Sequence, residues 1–228
     1  MFAIAGFLLA TALSQGATAK LTICIDPGHP SEVGRGTKGK TVSEMHISWE
    51  VAKRLQKLLI AKKFRVVMTK SSEGQYVKNR ERANIANNSH AALMVRLHCD
   101  AASGSGFTTY FPDRQGTAEG FTGPNKGLLK SIKPLAQRFH DQLSNELHGF
   151  LKDNGNLADV KTAVGSKHGA LVGSIFAKVP VVLVEMCVLT NPQDESKVNN
   201  SAGLDRLANG LAKACTKCLS NGTSHPFP

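Results

Sequence analysis

Four dispersed residues, His29, Glu44, His98 and Glu185, have the types and settings to do chemistry together. His29 closes Ile25-Asp26-Pro27-Gly28-His29, and Glu44 opens a stretch of helical periodicity. His98 follows one apolar run and Glu185 interrupts another. Two histidines and a carboxylate are what a catalytic zinc prefers, with one coordination position left open. A further carboxylate beside that position would act as general base toward an attacking water. The spacing forms no local metal motif such as HExxH, so only the fold can assemble the set. Each residue falls near the end of an expected element, where α/β proteins place their chemistry.

Each of the four also has an ordinary explanation. Glu185 follows Val181-Val182-Leu183-Val184, and a buried ionised carboxylate needs a partner. A salt bridge would satisfy it as well as a metal site would. Glu44 is the third residue after Thr41, so a capping box could account for it. His29 and His98, taken singly, read as polar residues of a turn and a strand end. Of the other histidines, His46 is two positions past Glu44 and points elsewhere on a helix. His140 and His148 are expected to face solvent or a groove. His168 lies in the basic, Gly-containing segment 161–173, which could border a cleft.

The elements that must position these residues alternate in type. Leu21 to Ile25 reads as a buried strand stopped by Asp26-Pro27-Gly28, and residues 31–40 as a loop. Met45, Ser48, Trp49, Ala52, Leu55 and Leu59 recur at helical spacing. Strands are expected at Phe64 to Thr69, Ala91 to Leu97, Phe107 to Phe111 and Val179 to Val184. The third and fourth strands in the chain are expected to be neighbours across a short Ser/Gly turn. Helices are expected over Lys78 to Asn88, Ile132 to Leu151 and Leu204 to Leu219, with a polar loop from Asp113 to Asn125 and a turn at Asn191-Pro192. This alternation argues for a three-layer α/β/α domain around a twisted, mostly parallel sheet.

Residues 1–19 carry no charged side chain, and Ala17-Thr18-Ala19 offers the small residues of a signal-peptidase site. The segment is read as a cleaved signal peptide, leaving residues 20–228 as one catalytic domain, exported to the cell exterior or periplasm. No later stretch is long and apolar enough to span a membrane. The formal charge of +11 reads either as simple solvation or as the mark of a polyanionic partner. No nucleic-acid motif is present, so an anionic cell-wall polymer fits better than nucleic acid. The five cysteines include Cys215-x-x-Cys218, open to reading as a disulfide, a thiol pair or two core residues. Cys24, Cys99 and Cys187 read as small buried hydrophobes. No heptad or wide apolar surface stripe suggests an oligomer, so a monomer is expected.

Five blocks in register resemble the zinc-dependent N-acetylmuramoyl-L-alanine amidases of the amidase-3 type. Ile25-Asp26-Pro27-Gly28-His29-Pro30 matches the D-P-G-H-G-like turn, and Gly34 to Glu44 the Gly-rich loop and helix-opening Glu. Val66 to Lys70 with Arg82 to Asn87 matches the strand ending T-R and the R-x-x-x-A-N helix. Arg96 to Ala101 corresponds to S-I-H-x-N-A, Gly106 to Phe111 to G-x-x-x-Y-Y, and Leu183 to Asn191 to L-V-E-x-G-F-x-x-N. The resemblance implies zinc held by His29, Glu44 and His98, with Glu185 as the catalytic carboxylate. It implies hydrolysis of the amide between the lactyl group of N-acetylmuramic acid and L-alanine in peptidoglycan. Pro30, Arg96, Asp100 and Met186-Cys187-Val188 depart from the family pattern and bear on substrate fit. A zinc peptidase acting within the stem peptide, and a non-catalytic wall-binding or amidase-regulating protein, remain the alternatives. Residues 112–130 are a further candidate, as a segment that occludes the cleft.

Overall fold

The computed structural model describes residues 20–220. The expected signal peptide, 1–19, and the last residues of the expected 20–228 domain lie outside this range.

The core is a sheet of strands β1 (Thr22–Pro27), β2 (Arg65–Met68), β3 (Leu93–Asp100), β4 (Phe107–Phe111), β7 (Asp153–Ala158) and β8 (Val181–Val188). Their spatial order is β2-β1-β3-β8-β4-β7. β1, β2, β3 and β8 run parallel, and β4 joins them antiparallel through β8. β3, β8 and β1 are buried almost throughout, which is why they read as continuous apolar runs rather than alternating ones. The mostly parallel α/β architecture agrees with expectation. The neighbour of β3 does not: β8 inserts between β3 and β4, because its Val-rich run takes the fully buried central position.

With strand order β2-β1-β3, the crossover helices before β2 and after it fall on opposite faces of the sheet when each connection takes the usual right hand. On one face α1 (Glu44–Ala61) and α3 (Lys126–Leu147) flank α7 (Ser201–Ser220). On the other, α2 (Asn79–Asn88) packs with the short α5 (Val172–Phe176). Between them α1, α3 and α7 bury Leu55, Leu59, Phe139, Leu143, Leu211 and Cys215 against the sheet. All five cysteines are free and buried, so Cys215 and Cys218 are core residues. Cys218 Sγ donates 3.3 Å back to the Cys215 carbonyl, as a small residue in a helix can.

The expected loop at 113–125 contains a hairpin, β5 (Gly116–Ala118) and β6 (Phe121–Gly123). It docks on α5 and α2: Phe121 stacks on Phe176 with centroids 5.3 Å apart, and Arg80 meets Glu119 at 3.2 Å. The basic segment near 161–173 is also ordered, as a 3₁₀ turn at Asp159–Lys161 and helix α4 (Ala163–His168). Asn191-Pro192 opens helix α6 (Pro192–Val198), with the Asn191 side chain accepting from the Gln193 and Asp194 amides.

Candidate metal centre

Strand period 2 sorts the site residues onto one face of the sheet. In register, Asp26 pairs with Arg96, Arg96 with Leu183, and His98 with Glu185. Thr108 of β4 lies opposite Glu185 on the other side. Asp26, Arg96, His98 and Glu185 therefore all leave the sheet toward α2 and α5. Glu185 is mid-strand in β8, not at its end as expected, because β8 runs on to Val188.

His29 lies just past β1, with a backbone φ of 49° in the left-handed region. Such a conformation is uncommon for a non-glycine residue and persists where its surroundings fix it. Here Lys70 does so from below, its Nζ donating to the carbonyls of Gly28, His29 and Glu73. Desolvation pulls the Lys70 pKa down to about 8. Beneath the turn, Asp26 is gripped by Arg82 at 2.7 Å and Arg96 at 2.8 Å, all three fully buried. Burial alone would raise the Asp26 carboxyl, but the two guanidiniums hold it well below the usual carboxylate range. Arg82 also donates to the Val77, Pro27 and Pro30 carbonyls, stitching the turn to α2.

Glu44 is the first residue of α1, and its setting corrects the capping-box reading. The N-cap is Ser43, whose hydroxyl accepts from the His46 amide at 3.3 Å. Freed of that task, the Glu44 carboxylate turns over the rim of the sheet. Its Oε2 accepts from the Thr37 amide at 2.8 Å and its Oε1 from the Cys99 amide at 3.2 Å. The same Oε1 lies 2.9 Å from His98 Nδ1 and 3.4 Å from His29 Nε2. The two imidazoles meet edge to face with centroids 5.1 Å apart. Glycine is required twice around them. A Cβ on Gly28 would come 2.7 Å from His98 Cε1, and one on Gly36 2.5 Å from Glu44 Oε2.

The three donor atoms all lie within 4.8 Å of one another. Ligands about 2.0–2.2 Å from a tetrahedral zinc stand about 3.3 Å apart, so the 2.9 and 3.4 Å separations fit such an ion. The His29 tautomer fits too. His29 Nδ1 is 3.1 Å from the Gly34 carbonyl, which takes its N–H and leaves Nε2 as the lone-pair nitrogen facing Glu44. Burial lowers the His98 pKa, with Glu44 opposing, which favours the neutral ring a metal needs. Burial likewise works to raise Glu44, but His98 and then His29 outweigh it and the carboxylate stays ionised.

Glu185 differs from Glu44. Its Oε2 is shut off from solvent with no hydrogen-bond partner among the described residues. Burial first, then the charges of Glu44 and Asp100, push its pKa well above the ordinary carboxylate range, with Arg96 partly offsetting them. No salt bridge accounts for Glu185 among the described residues, so the ordinary explanation weighed for it is absent there. A carboxyl of raised proton affinity beside a His-Glu-His donor set is suited, once ionised, to take a proton from water.

Other sequence readings resolve around this centre. His46 points away, pairing with Glu73 at 3.2 Å on the surface. His140 does not face solvent: it is buried, with Nδ1 2.9 Å from Thr109 Oγ1 and Nε2 3.2 Å from Asp153. That cluster ties α3 to β4 and β7 and lies apart from the four site residues. The Asp26–Arg82–Arg96 cluster escaped the sequence reading. Its signal was present, an Asp and an Arg each inside an apolar strand, and burying one charge calls for the other.

The family profile described as Amidase_3, N-acetylmuramoyl-L-alanine amidase, matches residues 23–217. N-acetylmuramoyl-L-alanine amidase LytC of Bacillus subtilis is 29% identical over 193 residues, covering 83% of this chain and 34% of that protein. A probable N-acetylmuramoyl-L-alanine amidase, AmiB of Haemophilus influenzae, is 25% identical over 224 residues, covering 83% of this chain and 50% of its own. The chain thus spans half or less of either relative. Among solved structures, an N-acetylmuramoyl-L-alanine amidase from Clostridium difficile 630 superposes with a TM-score of 0.71 at 25% identity, covering 90% of this chain and 99% of that one.

Proposed function

This chain belongs to the Amidase_3 family of N-acetylmuramoyl-L-alanine amidases, and we propose that it is an exported zinc enzyme that cleaves the lactyl–L-alanine amide of peptidoglycan. The observation that carries the reading is Glu185, whose buried Oε2 has no hydrogen-bond partner among the described residues and which stands in register with His98 of a three-donor set. His29 Nε2, Glu44 Oε1 and His98 Nδ1 would hold the metal. Bound there, zinc would polarise the amide carbonyl and ease deprotonation of water. Glu185 takes a proton from the attacking water and returns it to the departing alanine nitrogen. The Thr37 and Cys99 amides keep the Glu44 carboxylate aimed while this happens.

Action on peptidoglycan sets the site of work outside the cytoplasm, in keeping with a signal peptide over 1–19 and a catalytic domain over 20–228. No helix of the described residues is long and apolar enough to cross a membrane. The chain works as a monomer held to the wall by its positive charge. Exposed Lys126, Lys130 and Lys133 line one side of α3 and make no ion pair among the described residues, as a contact for anionic wall polymers would need.

Mass spectrometry of products released from purified peptidoglycan tests the reading. Intact stem peptides with a free alanine amine, released with zinc and not with a chelator, are the expected result. Peptides cut internally, or no release by zinc-loaded protein, would overturn it.

A further inference from the structure

The loop before Glu44 is held by a carboxylate about 150 residues further along the chain. Glu195, in α6, accepts from the Lys40 amide at 3.0 Å, the Thr41 amide at 2.6 Å and the Val42 amide at 3.1 Å. It also accepts from the Thr41 hydroxyl at 2.8 Å. Four donors on one carboxylate make an anion nest of the loop. Gly39 belongs to it, since a Cβ there would come 2.5 Å from Glu195 Oε1. The loop is closed on its other side by Glu44 itself, whose amide donates 3.0 Å to the Thr37 carbonyl while its Oε2 receives the Thr37 amide at 2.8 Å. Only Ser43 separates the gripped Val42 from Glu44.

The helix that carries Glu195 is anchored to the strand that carries Glu185. Asp194, its neighbour, accepts from the Val188 amide at 3.1 Å and from the Gly106 amide at 2.6 Å. The Leu189 amide donates 2.9 Å to the Asp100 carbonyl, two residues beyond His98. One short helix therefore fixes the end of β8 with one acidic residue and the approach to Glu44 with the next.

We infer that Glu195 is a positioning residue: by gripping residues 40–42 it sets the Glu44 carboxylate against His29 and His98, in register with Glu185. It touches neither substrate nor metal. The inference rests on the zinc reading above, and its test reads metal affinity, which a merely stabilising contact would not move.

Zinc affinity is measured by competition with a chromogenic chelator on the full chain, well below the melting temperature, for the parent, Glu44→Ala, Glu195→Ala and Glu195→Gln. Glu195→Ala is expected to weaken zinc by about tenfold, the usual effect of removing an outer-shell support. Glu195→Gln keeps an acceptor for Thr41 and Val42 but sets an amide N–H₂ against the Lys40 amide, so it is expected to recover part of the loss. Should Glu195→Ala fail to fold, Glu195→Gln alone carries the comparison. Parent affinity in the Glu195 variants, with affinity lost in Glu44→Ala, would overturn the positioning role and leave the metal site standing. A parent chain whose zinc binding does not depend on Glu44 would instead overturn the metal site itself.

Discussion

His98 and Glu185 occupy partner positions on β3 and β8, so the two side chains leave the sheet from the same face, side by side. The pairing makes a strand register part of the chemistry. A slip of β8 by one residue against β3 would turn Glu185 to the opposite face, away from His98 and into the apolar layer. The pairing also places Glu185, although mid-strand, beside a histidine of the candidate donor set and not another Val.

Asp26 is the charge on which the His29 turn rests. Asp26→Asn leaves the Arg82 and Arg96 guanidiniums buried without their counter-charge. Removing one partner of such a group costs about 3–5 kcal/mol. Urea denaturation should show a loss of that order, and one below about 1 kcal/mol would mean the cluster is solvated in a way the geometry does not suggest.

Gly36 has a φ of 78°, and the Cβ of an alanine would meet both Glu44 Oε2 and His29 Cδ2. Gly36→Ala should cost about 1–2 kcal/mol from the left-handed backbone alone. It should also weaken zinc binding, because both neighbours belong to the donor set. Unchanged zinc affinity in a folded Gly36→Ala protein would count against the assignment of His29 and Glu44.

The carboxyl of Glu195 is pulled down to about 2, first by the Thr41 amide and despite the cost of desolvation. A depressed folded pKa gives stability that is full above the unfolded value of about 4.3 and is lost as pH falls through the folded one. The melting temperature of the metal-free parent should therefore exceed that of Glu195→Gln at pH 6, and the gap should close toward pH 2. A gap that widens on acidification would reverse the sign of the argument.

Wall attachment through α3 predicts salt dependence, because exposed charges are screened over about 8–10 Å at 0.1–0.15 M salt. Replacing Lys126, Lys130 and Lys133 together by serine should reduce binding to a polyanionic wall polymer at low salt. Hydrolysis of a short soluble muropeptide should be unaffected. Equal polymer binding by the triple variant would move the attachment surface elsewhere.

Much of this was legible in the chain. Apolar runs marked β1, β3 and β8, and the spacing from Met45 to Leu59 marked α1, because those elements bury a continuous surface. Asp153–Ala158 was not legible: Asp-Asn-Gly-Asn-Leu-Ala has no apolar alternation, and it is a strand because its backbone pairs with β4 at the sheet edge. Asn191-Pro192 read as a turn although Asn at the N-cap with Pro next is also a helix start. Thr41 and Ser43 both offered a cap for α1. Only the tertiary pull of His98 and Cys99 on Glu44 shows why Ser43 was used. The grouping of His29, Glu44 and His98 was nameable from their types, but the grip of Glu195 on residues 40–42 joins parts of the chain about 150 residues apart, and no local pattern announces it.

The division of labour among the four residues is tested most directly by measuring zinc content and peptidoglycan hydrolysis together in Glu185→Gln and His98→Ala. Glu185→Gln should keep one zinc per chain and lose about 10²–10⁴-fold in rate, as expected for removing a general base. His98→Ala should lose the zinc itself. Parental rates in zinc-loaded Glu185→Gln, or full zinc in His98→Ala, would contradict the account.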